Sequence, residues 1–181
     1  MKISYKRAIT DEELHEILEL QRKNISSLIS EEEKQKEGFV TVQHDFDTLK
    51  SMNEVCAHSL AIYNSSVIGY ALSMVKAFKD DIPMFKEIDN CVDSNLSYIT
   101  MGQICIDKAF RKQGVFRGLY NAMKEHVKHE FDVIITEVDK KNTRSLNAHY
   151  AIGFELLKTY KSNNQEWVLL SWAWRKPYIN L

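Results

Sequence analysis

The sequence predicts a single α/β (α+β) domain over residues 1–181, with about four helices flanking a mixed, mostly antiparallel sheet of six to seven strands. The first supporting observation is the length of 181 residues, which suits one domain. The second is the succession of buried strand, helix and buried strand over residues 97–138, which predicts a parallel strand pair. The third is a candidate hairpin on each side of this unit, and hairpin strands run antiparallel.

The chain begins with a predicted strand and a capped helix. Residues 3–9 alternate apolar and polar side chains, as a strand with one buried face does. Thr10 and Glu13 match a capping box, in which each side chain binds the other residue's backbone amide at the start of a helix. Apolar residues at helical spacing continue to Ile29, which predicts one or two helices. Residues 30–38 are mostly charged and predict a solvated loop or helix end.

The rest of the chain divides by the same patterns. Residues 78–95 are irregular, polar and contain Pro83, so we expect a mobile segment or a short helix there. Gly153 closes the last predicted helix. The other predicted elements are helices over residues 45–56, 115–127 and 142–152, and strands over residues 58–63, 67–75, 97–106, 132–138, 154–160 and 166–174.

Composition excludes several classes of protein. The chain has 24 Lys and Arg against 25 Asp and Glu, and a net charge of −1 argues against binding nucleic acid by bulk electrostatics. The odd count of three cysteines, without a CxxC pair, indicates a reducing compartment. The longest apolar run, residues 167–174, is far below the roughly 20 residues that span a bilayer. We therefore expect a cytoplasmic protein that binds neither nucleic acid nor membrane.

The loop after the central strand has the chemistry of an anion site. Residues 107–118 join a buried strand to a helix, and Gly114 lets the backbone approach a ligand or adopt a positive φ. The first amides of a helix lack internal partners and favour phosphate. Arg111, Lys112 and Arg117 add positive charge, so a diphosphate would suit this loop. The alternative is a basic loop that caps an ordinary helix in an unrelated α/β protein, with Gly118 admitting close packing.

Two segments in this half of the chain resemble the signatures of the GNAT family of N-acetyltransferases. Residues 111–116, Arg-Lys-Gln-Gly-Val-Phe, resemble the Q/R-x-x-G-x-G/A signature, with Phe116 where the family usually has Gly or Ala. Residues 142–154 resemble the second signature, an Asn that opens a short helix ending in Gly-Phe. His149 stands where the family often has Tyr, and Tyr150 follows it. The resemblance covers about residues 97–160.

The resemblance implies a GNAT-like fold and a reaction. Members of the family transfer an acetyl group from acetyl-CoA to an amine, here a small-molecule or peptide amine, and need no metal. The resemblance further implies that the two parallel strands splay apart and that backbone groups of the first pair with the pantetheine arm. The loop would hold the pyrophosphate. The implied cofactor-binding residues are Gln103, Ile104, Cys105, Ile106, Arg111, Lys112, Gln113, Gly114, Val115, Phe116, Arg117, Gly118 and Asn142.

The reaction also requires groups that move protons. An alkyl amine has a pKa of about 10.4, so a base must remove its proton before direct attack on the thioester. Glu137, near the end of the second parallel strand, is our candidate base, and a surface carboxylate beside Lys140 or Lys141 is the alternative. His149 or Tyr150 could protonate the departing thiolate, and core packing is the alternative for both.

Two further hypotheses remain at this point. A different class of protein, an acyl-CoA-binding or sensing module with weak or no turnover, would account for Phe116 and for the displaced Tyr. Trp167, Trp172 and Trp174 on the last strand are compatible with core packing or with the contact surface of a homodimer.

Overall fold

The structure, a computed structural model, describes residues 2–25, 39–76 and 82–174. Five α-helices and seven strands follow one another in these residues. The helices are α1 (Asp11–Arg22), α2 (Phe46–Val55), α3 (Pro83–Asp89), α4 (Val115–Val127) and α5 (Thr143–Ile152). The strands are β1 (Ser4–Arg7), β2 (Ser59–Tyr63), β3 (Ser66–Met74), β4 (Tyr98–Ile106), β5 (Val133–Asp139), β6 (Glu155–Ser162) and β7 (Gln165–Ala173).

The strands form one sheet in the order β1-β2-β3-β4-β5-β7-β6. The neighbours β4 and β5 are parallel, and the other five neighbouring pairs are antiparallel. The fold class predicted from the sequence, a mixed and mostly antiparallel sheet with one parallel pair at its centre, is therefore confirmed. The turns of both hairpins contain residues with positive φ, among them Asn64 and Asn163, because Asn adopts this conformation more readily than most residues do.

Helices cover both faces of the sheet. Helices α1, α2 and α3 pack on one face, where Leu14, Leu49 and Phe85 lie in one apolar core. Helices α4 and α5 pack on the other face, where Leu119 and Phe154 belong to a second core. Each apolar stripe is thus buried against the sheet, which accounts for the helical spacing seen in the sequence. No helix among the described residues combines the length and the apolar character that crossing a bilayer requires.

The predicted capping box at the start of α1 is present. The Glu13 amide donates to Thr10 Oγ1, and the Glu13 carboxylate accepts from the Thr10 amide. Helix α1 ends at Arg22, and residues 26–38 lie outside the described residues, as does the charged segment predicted over 30–38. The box therefore fixes where the first helix begins.

Helix α3 lies in residues 78–95, where the sequence predicts a mobile segment or a short helix. Pro83 occupies the first turn, where its missing N–H costs no helical hydrogen bond. Met84, Phe85 and Ile88 are buried against the sheet, and the polar residues between them explain why the segment looked irregular. Residues 78–81 of the predicted segment lie outside the described residues.

The parallel pair splays apart after a short stretch of pairing, as expected. Three residue pairs join the strands, from Tyr98 with Val133 to Thr100 with Ile135. The Thr136 hydroxyl then donates to the Met101 carbonyl oxygen at 2.8 Å, so a side chain closes the point where the backbones diverge. The pairing of β4 with β3 shifts register at the same level, and such a bulge bends a strand. A cleft therefore opens beside the end of β4.

Candidate active site

A cavity of about 290 Å³ lies beside the end of β4, against the first turns of α4 and α5. Apolar groups of the strand and the two helices form much of its wall, and basic side chains lie at the turn before α4. Its lining residues include Asn24, Phe39, Val40, Ile104, Cys105, Ile106, Phe110, Arg111, Lys112, Gly114, Val115, Phe116, Asn142, Arg144, Ser145 and Ala148.

The turn between β4 and α4 presents a helix N-terminus to this cavity. Gly114 is the N-cap of α4 with φ +81°, and no side chain caps the helix there. An added Cβ at Gly114 would meet no atom within 4 Å, so the space beside it is open. The amides of the first helical turn lack an acceptor four residues back, and their partial positive charge favours an anion.

Arg111 connects this turn to the end of α1. Its Nε donates to the Ile106 carbonyl oxygen at 3.0 Å, and an Nη donates to Asn24 Oδ1 at 2.6 Å. The guanidinium charge thus lies in the cavity wall in a fixed orientation, beside Lys112, which has a positive φ. Sequence reasoning missed Asn24, because 87 residues separate the two partners and no spacing rule relates them.

Three loop residues predicted to bind the cofactor are not among those that line the cavity, and neither is Gln103 of β4. The Gln113 carboxamide donates to the Ala109 carbonyl oxygen, and Arg117 donates to the Ala151 carbonyl oxygen. Gly118 faces Tyr5 of β1, and an added Cβ would overlap the phenol oxygen. Of the described residues that line the cavity, none is one of these three. Side chains along the loop and the first turn of the helix point in different directions. The charge and glycine content of the loop therefore do not tell which of its residues line the cavity.

The side chain of Gln103 ties a loop to β4. Its Oε1 accepts hydrogen bonds from Gln21 and from the Tyr70 hydroxyl, and its Nε2 donates to the Val42 carbonyl oxygen at 2.7 Å. The Gln21 oxygen in turn accepts from the His44 amide. This buried network holds the segment before α2 against the strand. Gln103 was predicted to bind the cofactor because of its place on the central strand. Its side-chain partners could not be inferred, because they lie far away in the sequence.

Asn142 caps α5 and reaches across the cleft. Its Oδ1 accepts from the Ser145 amide at 3.1 Å, and its Nδ2 donates to the Phe39 carbonyl oxygen at 3.3 Å. The residue is 7% exposed and lines the cavity. The predicted helix start is therefore correct, and the side chain lies where the cleft meets the helix.

Glu137 lies on β5 and is largely buried. The Tyr160 hydroxyl of β6 donates a hydrogen bond to Glu137 Oε2. Burial raises the pKa of Glu137, and the hydrogen bond from Tyr160 opposes that rise. Of the two lysines in the alternative of a surface carboxylate, Lys140 pairs with Glu166. The alternation of side chains between the two faces of the β6–β7 hairpin was the sequence signal that could have indicated Tyr160 as a partner of Glu137.

His149 is buried among aromatic rings. Its Nδ1 lies 2.7 Å from the Ser145 carbonyl oxygen, which can only accept, so Nδ1 carries the proton. The Tyr120 hydroxyl, 2.7 Å from Nε2, is then the donor to that nitrogen. Burial lowers the pKa of His149 to about 4, so the ring is neutral. The Phe116 ring packs edge-on against it at 5.0 Å, and Tyr150, the next residue, is 44% exposed.

The splayed sheet and the basic turn before α4 are parts of one α/β arrangement, in which the cavity meets an open helix N-terminus. The acetyltransferase (GNAT) family model matches residues 14–154, and the chain belongs to this family. The alternative of an unrelated α/β protein is thereby excluded. No curated protein matches the sequence significantly.

Solved structures share the fold at low sequence identity. The ribosomal-protein-S18-alanine N-acetyltransferase from Escherichia coli has a TM-score of 0.67 at 14% identity, covering 99% of each chain. A chain of the NatC complex bound to Gag peptide and CoA has a TM-score of 0.66 at 17% identity, covering 97% of this chain and 100% of its own. The yncA structure from Salmonella typhimurium, with its cofactor acetyl-CoA, has a TM-score of 0.66 at 12% identity, covering 97% and 96%. Family and neighbours together support acetyl transfer from acetyl-CoA in general.

Proposed function

We propose that this chain transfers an acetyl group from acetyl-CoA to a primary amine, of a small molecule or a peptide, by direct attack in a ternary complex. The observation that carries the proposal is the cavity that combines the open N-terminus of α4 with the diverging edge of β4. The first feature suits a diphosphate, and the second suits an extended arm that adds to the strand by main-chain hydrogen bonds. Coenzyme A contains both parts in one molecule.

The residues that bind the cofactor divide between the turn and the strand. Arg111, Lys112 and the first amides of α4, with Gly114 leaving space, would hold the pyrophosphate. Backbone groups of residues 103–106 would pair with the pantetheine arm, and Asn142 would contact the arm near the start of α5. When bound, acetyl-CoA supplies an acyl thioester that is open to nucleophilic attack.

The chain's own groups then move the protons. We propose that Glu137 accepts the proton of the ammonium form of the acceptor, because a largely buried carboxylate with a raised pKa is a better base than an exposed one. An amide of β4 near residues 104–106 would stabilise negative charge on the thioester oxygen. A thiol has a pKa of about 8.5, so the departing thiolate needs little help from an acid.

The geometry around α5 supports a proposal for the source of the thiolate proton. Both ring nitrogens of His149 have partners within the protein, which favours a packing role for this residue. We therefore propose that the thiolate takes its proton from Tyr150 or from water. The same arrangement favours a second candidate function, an acyl-CoA sensor without turnover, because the family's usual Tyr is replaced by a ring that Phe116 covers.

Variants of Gly114 test the cofactor site. Gly114→Trp should abolish the thermal stabilisation by acetyl-CoA, because the indole would fill the open space at the helix N-terminus. At a ligand concentration about 100 times Kd, wild type should gain about 2.7 kcal/mol. Gly114→Ala is the matched control, because it has the same backbone strain with little added volume. Its stability should fall while the shift with acetyl-CoA remains. Normal binding by Gly114→Trp would show that the phosphate site is elsewhere.

Turnover separates the two candidate functions. Release of free thiol from acetyl-CoA is measured with a panel of polyamines, aminoglycosides, amino acids and peptides. Release that depends on one class of amine supports the transferase and identifies the acceptor. Saturable binding without release from any amine supports the sensor. Absence of binding at millimolar acetyl-CoA contradicts both.

A further inference from the structure

Tyr160 reaches Glu137 from the far edge of the sheet. Strand β7 lies between β5 and β6, and Trp167 pairs with Asp139 on one side and with Tyr160 on the other. Glu137 is two residues before Asp139 on β5, so both carboxylates lie on one face of the sheet. The Tyr160 ring thus extends across β7 on that face, and its hydroxyl donates to Glu137 Oε2.

The donor is well suited to remain protonated. Tyr160 is 9% exposed, and burial together with the negative charge of Glu137 raises its pKa far above the ordinary value. The hydroxyl therefore donates to the carboxylate and does not compete with it for a proton. A hydrogen bond to a buried charged oxygen stabilises the charged form more than one between neutral groups, so this contact favours the ionised form of Glu137, which burial disfavours.

Two other charged side chains on this face, Asp139 and Lys158, are already hydrogen-bonded or paired. Asp139 accepts from the Lys141 amide and from the Gln165 side chain. Lys158, two residues before Tyr160 on β6, forms an ion pair with Glu87 of α3 at 2.6 Å. Tyr160 is thus the group whose removal changes the surroundings of Glu137 most directly.

We propose that Tyr160 is a positioning residue, which holds the Glu137 carboxylate ionised and oriented as the proton acceptor for the incoming amine. The inference rests on the proposed function, since it assigns Glu137 the role of base. Tyr160 itself touches neither the amine nor the thioester in this scheme. Its effect on the reaction passes through one hydrogen bond.

Tyr160→Phe tests the inference with two independent measurements. The first is the titration midpoint of the Glu137 carboxyl carbon by ¹³C NMR without cofactor, with Glu137→Gln to assign the signal. The second is the acid limb of the pH profile of kcat/KM. Both midpoints should move to higher pH by about one unit, a tenfold change in the ionised fraction well below the midpoint. At high pH the activity of the variant should approach that of wild type.

Tyr98→Phe is the matched control, because the buried Tyr98 hydroxyl has no hydrogen-bond partner among the described residues. Neither midpoint should move in this variant. If Tyr160→Phe fails to fold, as judged by circular dichroism, 3-fluorotyrosine at position 160 serves in its place. It keeps the ring and strengthens the donor, so both midpoints should move to lower pH.

The outcomes distinguish this inference from the function on which it rests. An unchanged Glu137 titration in the folded variant overturns the role of Tyr160 and leaves the acetyltransferase proposal intact. A shifted titration with an unmoved acid limb shows that Glu137 is not the base, which overturns both the positioning role and that part of the proposed mechanism. Parallel shifts in both measurements support the inference.

Discussion

At the scale of single residues, a contact between Tyr5 and Gly118 decides how closely β1 approaches α4. Tyr5 packs where a side chain at position 118 would otherwise lie. An Ala in a helix interior is usually better than Gly by about 1 kcal/mol. Here overpacking opposes that preference and typically costs about 1 to 3 kcal/mol. The second effect is the larger, so the glycine is needed for packing.

Gly118→Ala should therefore lower the free energy of unfolding, measured by urea denaturation, by up to about 2 kcal/mol. In a Tyr5→Ala background the clash is absent, and the same substitution should stabilise the protein by up to about 1 kcal/mol because helix propensity then dominates. A stabilising effect in the wild-type background would contradict the contact.

Single contacts of this kind mark the limit of what the sequence can predict. Gly114, Asn142 and Glu137 were identified from the residue type and its place on an element, and the structure gives all three the environments described above. The Arg111 bond to Asn24 and the Tyr160 bond to Glu137 join distant parts of the chain. They depend on how elements pack, which local patterns do not encode.

At the scale of elements, the first helix begins at a reciprocal cap. Thr10→Ala removes the acceptor for the Glu13 amide, and loss of such a cap typically costs about 1 kcal/mol. We expect the midpoint of urea unfolding to fall accordingly. Thr10→Ser keeps the hydroxyl and should remain within a few tenths of a kcal/mol of wild type. Equal stability of the Ala and Ser variants would mean that the cap contributes nothing measurable.

Elements were the most predictable part of the fold. The hairpins and the central strand–helix–strand unit follow from alternation, turn residues and helical spacing, each of which is local. Helix α3 was harder to predict because it has only seven residues, and its three buried residues stand between polar ones. The splay of β4 and β5 followed from the family resemblance, since backbone divergence leaves no periodic pattern of its own.

At the scale of the whole molecule, two buried neutral histidines connect stability to pH. Burial lowers the pKa of both His58 and His149 to about 4. The ring nitrogens of His58 contact the Leu49 carbonyl oxygen and the Ser73 amide. The contacts of His149 are those described above. The unfolded chain has an ordinary His pKa of about 6.5 and binds more protons between these values. Stability is therefore full above pH 6.5 and is lost as the pH falls towards 4.

We expect the free energy of unfolding to fall by roughly 2 kcal/mol per buried histidine between pH 7 and pH 5. Urea denaturation at both pH values measures the change. His129→Gln, a substitution at an exposed site, should show the same loss as wild type. A stability that is constant over this interval would mean that the two rings are not held neutral.

The short seam between the two halves of the sheet has a mechanical consequence. Strands β1 to β4 are joined to strands β5 to β7 by three residue pairs between β4 and β5. The hydrogen bond from Thr136 to Met101 lies at the end of this pairing. An extended ligand bound where β4 and β5 diverge would connect the two halves of the sheet over a greater length. The bound ligand would then form part of the structure. Its binding would make the entire sheet more rigid, and not merely the loop that binds the anion.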